Sequence, residues 1–111
     1  MDTPETTTSA TAVFGDPITL TAPIVRGSAT IDTIQLRKPK SGELRGCNLP
    51  GLMNGDVDQL MKVLPRISNP PLLPAEIADM DPADMAECAG QVMLFLLTPT
   101  QRALLDQQLK S

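Results

Sequence analysis

The acidic side chains that could do chemistry fall in close pairs: Asp56 with Asp58, Asp79 with Asp81, and Asp84 with Glu87. Two carboxylates at such spacing could divide the roles of general acid and general base. Each pair, however, sits at or near the expected start of a helix, where the helix dipole stabilises negative charge by about 0.3–1 kcal/mol. Capping accounts for them without catalysis. The chain has no His, so the commonest general base and metal ligand is missing. A His-assisted Ser or Cys nucleophile is therefore out of reach for this chain alone. Cys47 and Cys88 lie forty-one residues apart, and two thiols without imidazole do not complete a four-ligand zinc site. Free thiols, buried or half-buried in a reducing cytosol, are the expectation. A disulfide stays open, because its geometry is not legible in sequence. No phosphate-cradling glycine pattern, calcium loop or HExxH arrangement occurs. No enzymatic activity, cofactor or metal is expected.

The basic side chains are more concentrated. Arg37, Lys38, Lys40 and Arg45 form one cluster, with Arg26 expected to approach it across a hairpin. Such a cluster suits phosphate or an acidic protein surface. Against phosphate stand the absence of Tyr and Trp to stack bases and a net charge of −4, from nine basic and thirteen acidic residues. The charge is uneven: residues 1–25 carry three acids and no base, residues 26–66 a net +3, and residues 67–111 a net −4. A solvated strand end that discourages edge pairing, or an acidic protein partner, is preferred over nucleic acid. The same acidity disfavours an anionic membrane. The longest apolar run, Val92 to Leu97, has six residues, against about 20 for a membrane span. Met1-Asp2 and the Thr-rich stretch after it do not read as a secretory signal.

Several elements must position these groups. Residues 1–15 show no periodicity and read as a flexible tail that docks only at Val13–Phe14. Ile18, Leu20 and Ala22 alternate with threonines, then Pro23 interrupts. After Arg26-Gly27-Ser28, Ile31, Ile34 and Leu36 continue a second run. This pattern predicts an antiparallel hairpin, with a bulge between Ile31 and Ile34 and Pro23 at an edge or break. Ser41–Leu44 suits one helical turn, and Asn48–Gly55 reads as loop. Asp56 caps a helix with Val57, Leu60, Met61 and Leu64 on one face, which Pro65 should end or kink near Leu64. Asn69-Pro70-Pro71 is a break, and Pro74–Met80 a short helix. Asp81-Pro82 starts a long helix to about Leu97, with Met85, Ala89, Val92 and Leu96 on one stripe and Cys88 and Phe95 beside it. Thr98 and Gln101 cap a last helix to about Lys110. The fold class is α+β: an N-terminal antiparallel hairpin followed by three to four helices in a small single domain, with 16–97 as its main body and the C-terminal helix in 98–111 as a candidate partner-binding element.

Aromatic residues make up 2% of the chain, so core and contact surfaces must both be built from Leu, Ile, Val, Ala and Met. A core of that kind is modest, and self-association is expected to help complete it. Met53, Met61, Met80, Met85 and Met93 fall in the helical part. Helical spacing favours core packing, yet Met also suits surfaces that take partners of varied shape. Val92–Leu97 is apolar all round and must be buried by something. Met93, Leu94, Phe95 and Leu97, with Leu104, Leu105 and Leu109 of the last helix, are the candidate partner-binding residues.

The run Ile18-Thr19-Leu20, Pro23–Gly27 and Ile34–Gly46, followed by Asp56-Val57-Asp58, Val63–Ile67, Leu72–Ile77 and Asp81–Asp84, resembles the phage tail assembly chaperone family of contractile-tailed phages. The resemblance implies a non-enzymatic assembly factor. Members are thought to hold the long, helical tape measure protein until tail tube subunits polymerise around it, and to be absent from the finished particle. They are commonly made in two lengths, the longer by a translational frameshift, and this chain resembles the short form. The resemblance therefore implies the tape measure protein as client, a longer form of the same protein and the tail tube protein as further partners, and the host cytoplasm as the place of work. Two other readings are a nucleic-acid-associated phage protein using Arg37–Arg45 and a structural tail subunit.

Overall fold

The computed structural model describes residues 13–110. Strands β1 (Ile18–Arg26) and β2 (Ala29–Leu36) form the antiparallel hairpin, and β3 (Ser68–Asn69) pairs with the far edge of β2. A one-turn 3-10 helix at Ser41–Leu44 follows the hairpin. Then come α1 (Leu49–Met53), α2 (Val57–Ile67), α3 (Pro74–Ala78), α4 (Pro82–Phe95) and α5 (Pro99–Lys110). The molecule is α+β, with a three-stranded antiparallel sheet on the N-terminal side and five helices after it.

The hairpin turns at Gly27, whose φ of 61° is the left-handed conformation that glycine adopts without steric cost. Pairing is regular from Arg26↔Ala29 to Ile24↔Ile31 and again at Thr19↔Thr33 and Ile18↔Ile34. The bulge lies in β1, between Thr19 and Ile24, rather than in β2 as the spacing of Ile31 and Ile34 suggests. Pro23 explains the placement: with no amide to give the ladder, it sits where pairing is already broken. Beyond Ile18 the chain re-joins the sheet through Gly15 N–H to Leu36 O (2.8 Å) and Lys38 N–H to Val13 O (2.6 Å). Val13–Phe14 thus docks as expected, while residues 1–12 of the proposed tail lie outside the described residues.

Helix α2 differs from its expected length. It continues through Pro65 to Ile67, so its core face is Leu60, Val63, Leu64 and Ile67, while Val57 is half exposed at 51%. Pro65 costs the helix one backbone donor, and two further residues, Arg66 and Ile67, complete it. Asn48–Gly55 is not a loop throughout. Asn48 Oδ1 accepts from Gly51 N–H (2.9 Å), and Pro50 occupies the first turn of α1. Asn69 ends β3, where Gln35↔Asn69 and Leu36↔Ser68 pair.

The core joins both strands and four helices. It contains Ile18, Leu20, Ile34, Leu36, Leu52, Leu60, Val63, Leu64, Ile67, Leu72, Ile77, Cys88, Val92 and Phe95. On α4 the buried line is Asp84, Cys88, Val92 and Phe95, leaving Met85, Ala89 and Leu96 half-buried at its margin. Helix α5 starts with the reciprocal cap: Gln101 N–H donates to Thr98 Oγ1 (3.2 Å) and Thr98 N–H to Gln101 Oε1 (2.9 Å). From Pro99 to Gln108 only Leu105 is partly covered; the other side chains are exposed.

Candidate functional site

Helix α4 has two faces of different fate. The inner one carries a carboxylate into the core: Asp84 is fully buried. It accepts the Thr21 N–H at 2.8 and 3.0 Å and the Ala22 N–H at 3.3 Å. These amides lie in the β1 bulge, where the ladder does not use them. A buried charge is tolerated only when hydrogen-bonded, and here the strand's free donors satisfy it. This ties α4 to β1. Nothing in the local sequence separates Asp84 from an ordinary helix-start acid. The broken pairing at Pro23, which leaves free amides in need of an acceptor, was the available signal.

The outer face borders an open apolar groove. One stretch, of about 520 Å³, is lined by Met53, Glu87, Gly90, Gln91, Met93, Leu94, Leu97 and Leu105. A second, of about 490 Å³, includes Val57, Pro82, Met85, Ala86, Ala89, Gly90 and Met93. The two share Gly90 and Met93, so both lie along the outer face of α4 and make up its apolar groove. That helix has fourteen residues, about 21 Å of axis. A side chain at Gly90 would meet nothing within 4 Å, so the floor of the groove there is open. Met53 and Met93, 48% and 38% exposed, present flexible thioethers along its wall.

The expected partner-binding residues divide between groove and core. Met93, Leu94, Leu97 and Leu105 line the groove. Leu104, 57% exposed, stands on the outer side of α5. Phe95 does not join the surface: it is buried in the core, because α4 turns that position inward with Val92 and Cys88. The side chain of Leu109 lies outside the described residues. Val57, Gly90, Ala86 and Glu87 were missed by sequence reasoning. The legible hint was Gly90, a helix-interior glycine that costs about 1 kcal/mol relative to Ala and so asks for a reason.

Within the basic cluster, Arg37 is tied up by the loop that follows it. Arg37 forms a bidentate pair with Glu43 (2.7 and 2.6 Å) and also donates to Arg66 O. The Arg37 guanidinium holds the Glu43 carboxyl down at about 2. Arg66 donates to the carbonyls of Glu43 (2.6 Å) and Arg45 (2.8 Å), and Lys62 to that of Gly46 (3.2 Å). These cations brace the segment between β2 and α1. Lys38, Lys40 and Arg45 remain exposed. Arg26 does not approach them: it pairs with Glu76 at 2.6 Å near the hairpin turn, whereas Arg37 follows the opposite end of β2. Two of the paired acids behave as caps, Asp56 accepting from Asp58 N–H and Asp81 from Ala83 N–H, whereas Asp84 is spent on β1. Both cysteines are free thiols, Cys47 half-buried and Cys88 buried. Among the described residues no helix is long and apolar enough to cross a membrane.

No solved structure matches the chain. Curated relatives do. Over 80 residues the chain is 42% identical to tail assembly protein E' of Escherichia phage P2, a match covering 72% of this chain and 56% of that protein. It is 43% identical over 79 residues to tail assembly protein E of the same phage, covering 71% of this chain and 87% of the relative. The match thus spans little more than half the length of E'. Residues 17–97 fit the family described as phage tail assembly chaperone proteins, E, or 41 or 14. With the family match spanning β1 through α4 and the groove-lining face of that helix, the chain belongs to the phage tail assembly chaperone family.

Proposed function

We propose that this chain acts in the host cytoplasm by holding the tape measure protein in the α4 groove until the tail tube forms around it. The observation that carries this reading is the groove itself, an apolar surface along α4 walled by exposed methionines and open at Gly90. A helical client laid along it would bury its apolar face in the manner of helix-in-groove recognition. Leu, Met and Gly walls adapt to successive client segments better than a fixed aromatic pocket would. In this reading residues 16–97 are the chaperone domain, and α5 supplies a second wall through Leu105. The chain leaves before the particle is finished. A longer form and the tail tube protein would bind through surfaces outside the groove.

The test is co-expression with the cognate tape measure protein. The wild-type chain is expected to keep that protein in the soluble fraction, and the folded double variant Leu104→Asp, Leu105→Asp to lose most of this effect. A tape measure that stays insoluble beside the wild-type chain would overturn the reading. Full retention by the double variant would remove α5 from the site.

A further inference from the structure

We propose that a depression between the docked arm at Val13 and the start of α5 binds an acidic segment of a protein partner, taking an apolar side chain against its walls and the neighbouring carboxylate between Lys38 and Arg102. The depression holds about 200 Å³, and its walls include Val13, Phe95, Leu97 and Pro99. Lys38 and Arg102 both line it, and no Asp or Glu does. The two cations come from distant segments, and each is fixed through its backbone. Lys38 N–H donates to Val13 O (2.6 Å), and Arg102 N–H to Thr98 O (2.9 Å). Both residues are exposed, and neither side chain makes an ion pair or hydrogen bond among the described residues. In this they differ from Arg26, Arg37 and Arg66, whose guanidiniums are engaged within the chain.

An apolar hollow edged by two unengaged cations matches a carboxylate that sits beside an apolar side chain. Phosphate would use the same cations, yet the surroundings favour protein. Two cations on a chain of net charge −4 are a weak draw for a polyanion. The adjoining depression, of about 140 Å³, contains Gln91, whose Oε1 is buried with no hydrogen-bond partner among the described residues. That acceptor calls for an N–H, which a peptide backbone supplies and a phosphate does not. Asp16 also lines this smaller depression, without pairing with Arg102. Its charge disfavours a second acid there and places the bound carboxylate on the Lys38 side. Neither cation lines the α4 groove, so this contact is separate from the holding of a client.

An NMR titration of the isotope-labelled full chain with a short, capped peptide of alternating leucine and glutamate tests this. Saturable shifts are expected at the amides of Val13, Lys38 and Arg102, which lie outside the groove. The double variant Lys38→Ala, Arg102→Ala should keep the wild-type thermal midpoint and bind the peptide about tenfold more weakly, as for two exposed charge pairs lost. The same peptide with glutamine in place of glutamate should bind the wild type more weakly by a similar factor, a comparison that does not depend on how the variant folds. Equal binding of the glutamate and glutamine peptides, shifts confined to other residues, or no binding at all overturns the proposal. Displacement of the peptide by inorganic phosphate or by a short oligonucleotide of equal charge would assign the cations to phosphate and overturn it as well. Because the readout lies at residues outside the groove, none of these results bears on whether the groove holds the tape measure protein.

Discussion

Cys88 lies enclosed beneath α4, 0% exposed, and its thiol is pushed up to about 11 by burial and by the carboxylates of Asp84 and Glu87. In the unfolded chain a cysteine titrates near about 8.5. The folded state therefore favours the protonated thiol, and the stability this represents is complete below the unfolded value. It is lost as pH rises from about 8.5 towards the folded value, by up to about 1.4 kcal/mol per pH unit. Urea unfolding of wild type and Cys88→Ala across this range should show the wild type losing stability more steeply. Parallel curves would contradict the burial of this thiol. Sequence made both thiols legible as free and small, but not which was sealed, because sealing depends on α4 lying across β1. Phe95 illustrates the same limit. An all-apolar turn has no self-evident inside, and only the helix's phase against the sheet sends Phe95 inward and Met93 outward.

At the scale of elements, the joint between α4 and β1 is a carboxylate laid on two strand amides. Asp84→Asn keeps the shape but turns an amino group towards donors, so one strand N–H loses its acceptor. A cost of about 2 kcal/mol is expected, as for a charged hydrogen bond lost in a partly buried place. It should appear as a lower urea midpoint with faster hydrogen exchange at Thr21 and Ala22. Unchanged exchange at those amides would mean that water already serves them and that the joint is packing alone. Most elements were legible beforehand, since hairpin alternation, Asp-Pro and Thr-Pro helix starts and the capping glutamine are local chemistry. The departures have tertiary causes. Pro65 reads as an end or a kink because its ring opposes a helix, yet Ile67 has core to fill two residues later. Asn48–Gly55 read as loop because of Pro50, Gly51 and Gly55, although Asn48 and Pro50 are also helix-start chemistry. Ser68–Asn69 carries no strand signal of its own and pairs because Leu36 and Gln35 offer a free edge.

For the whole molecule, the core accounts for the inner face of every element except α5, and the groove is what the helices leave uncovered. Its residues come from α1, α2, α4 and α5, so no single sequence window contains it. What sequence could offer was composition: methionines and leucines in the helical half and very few aromatics. Gly90 is the position where the account is most exposed to test. It lines both stretches of the groove, and a Cβ there meets nothing within 4 Å, so a leucine replaces a poor helix former with a good one and extends into the groove. The most direct measurement is the soluble fraction of the cognate tape measure protein co-expressed with Gly90→Leu, beside thermal unfolding of the variant alone. The account predicts an unfolding midpoint at or above that of the wild type and a tape measure that aggregates. A Gly90→Leu chain that folds equally well and still keeps the tape measure soluble would contradict it.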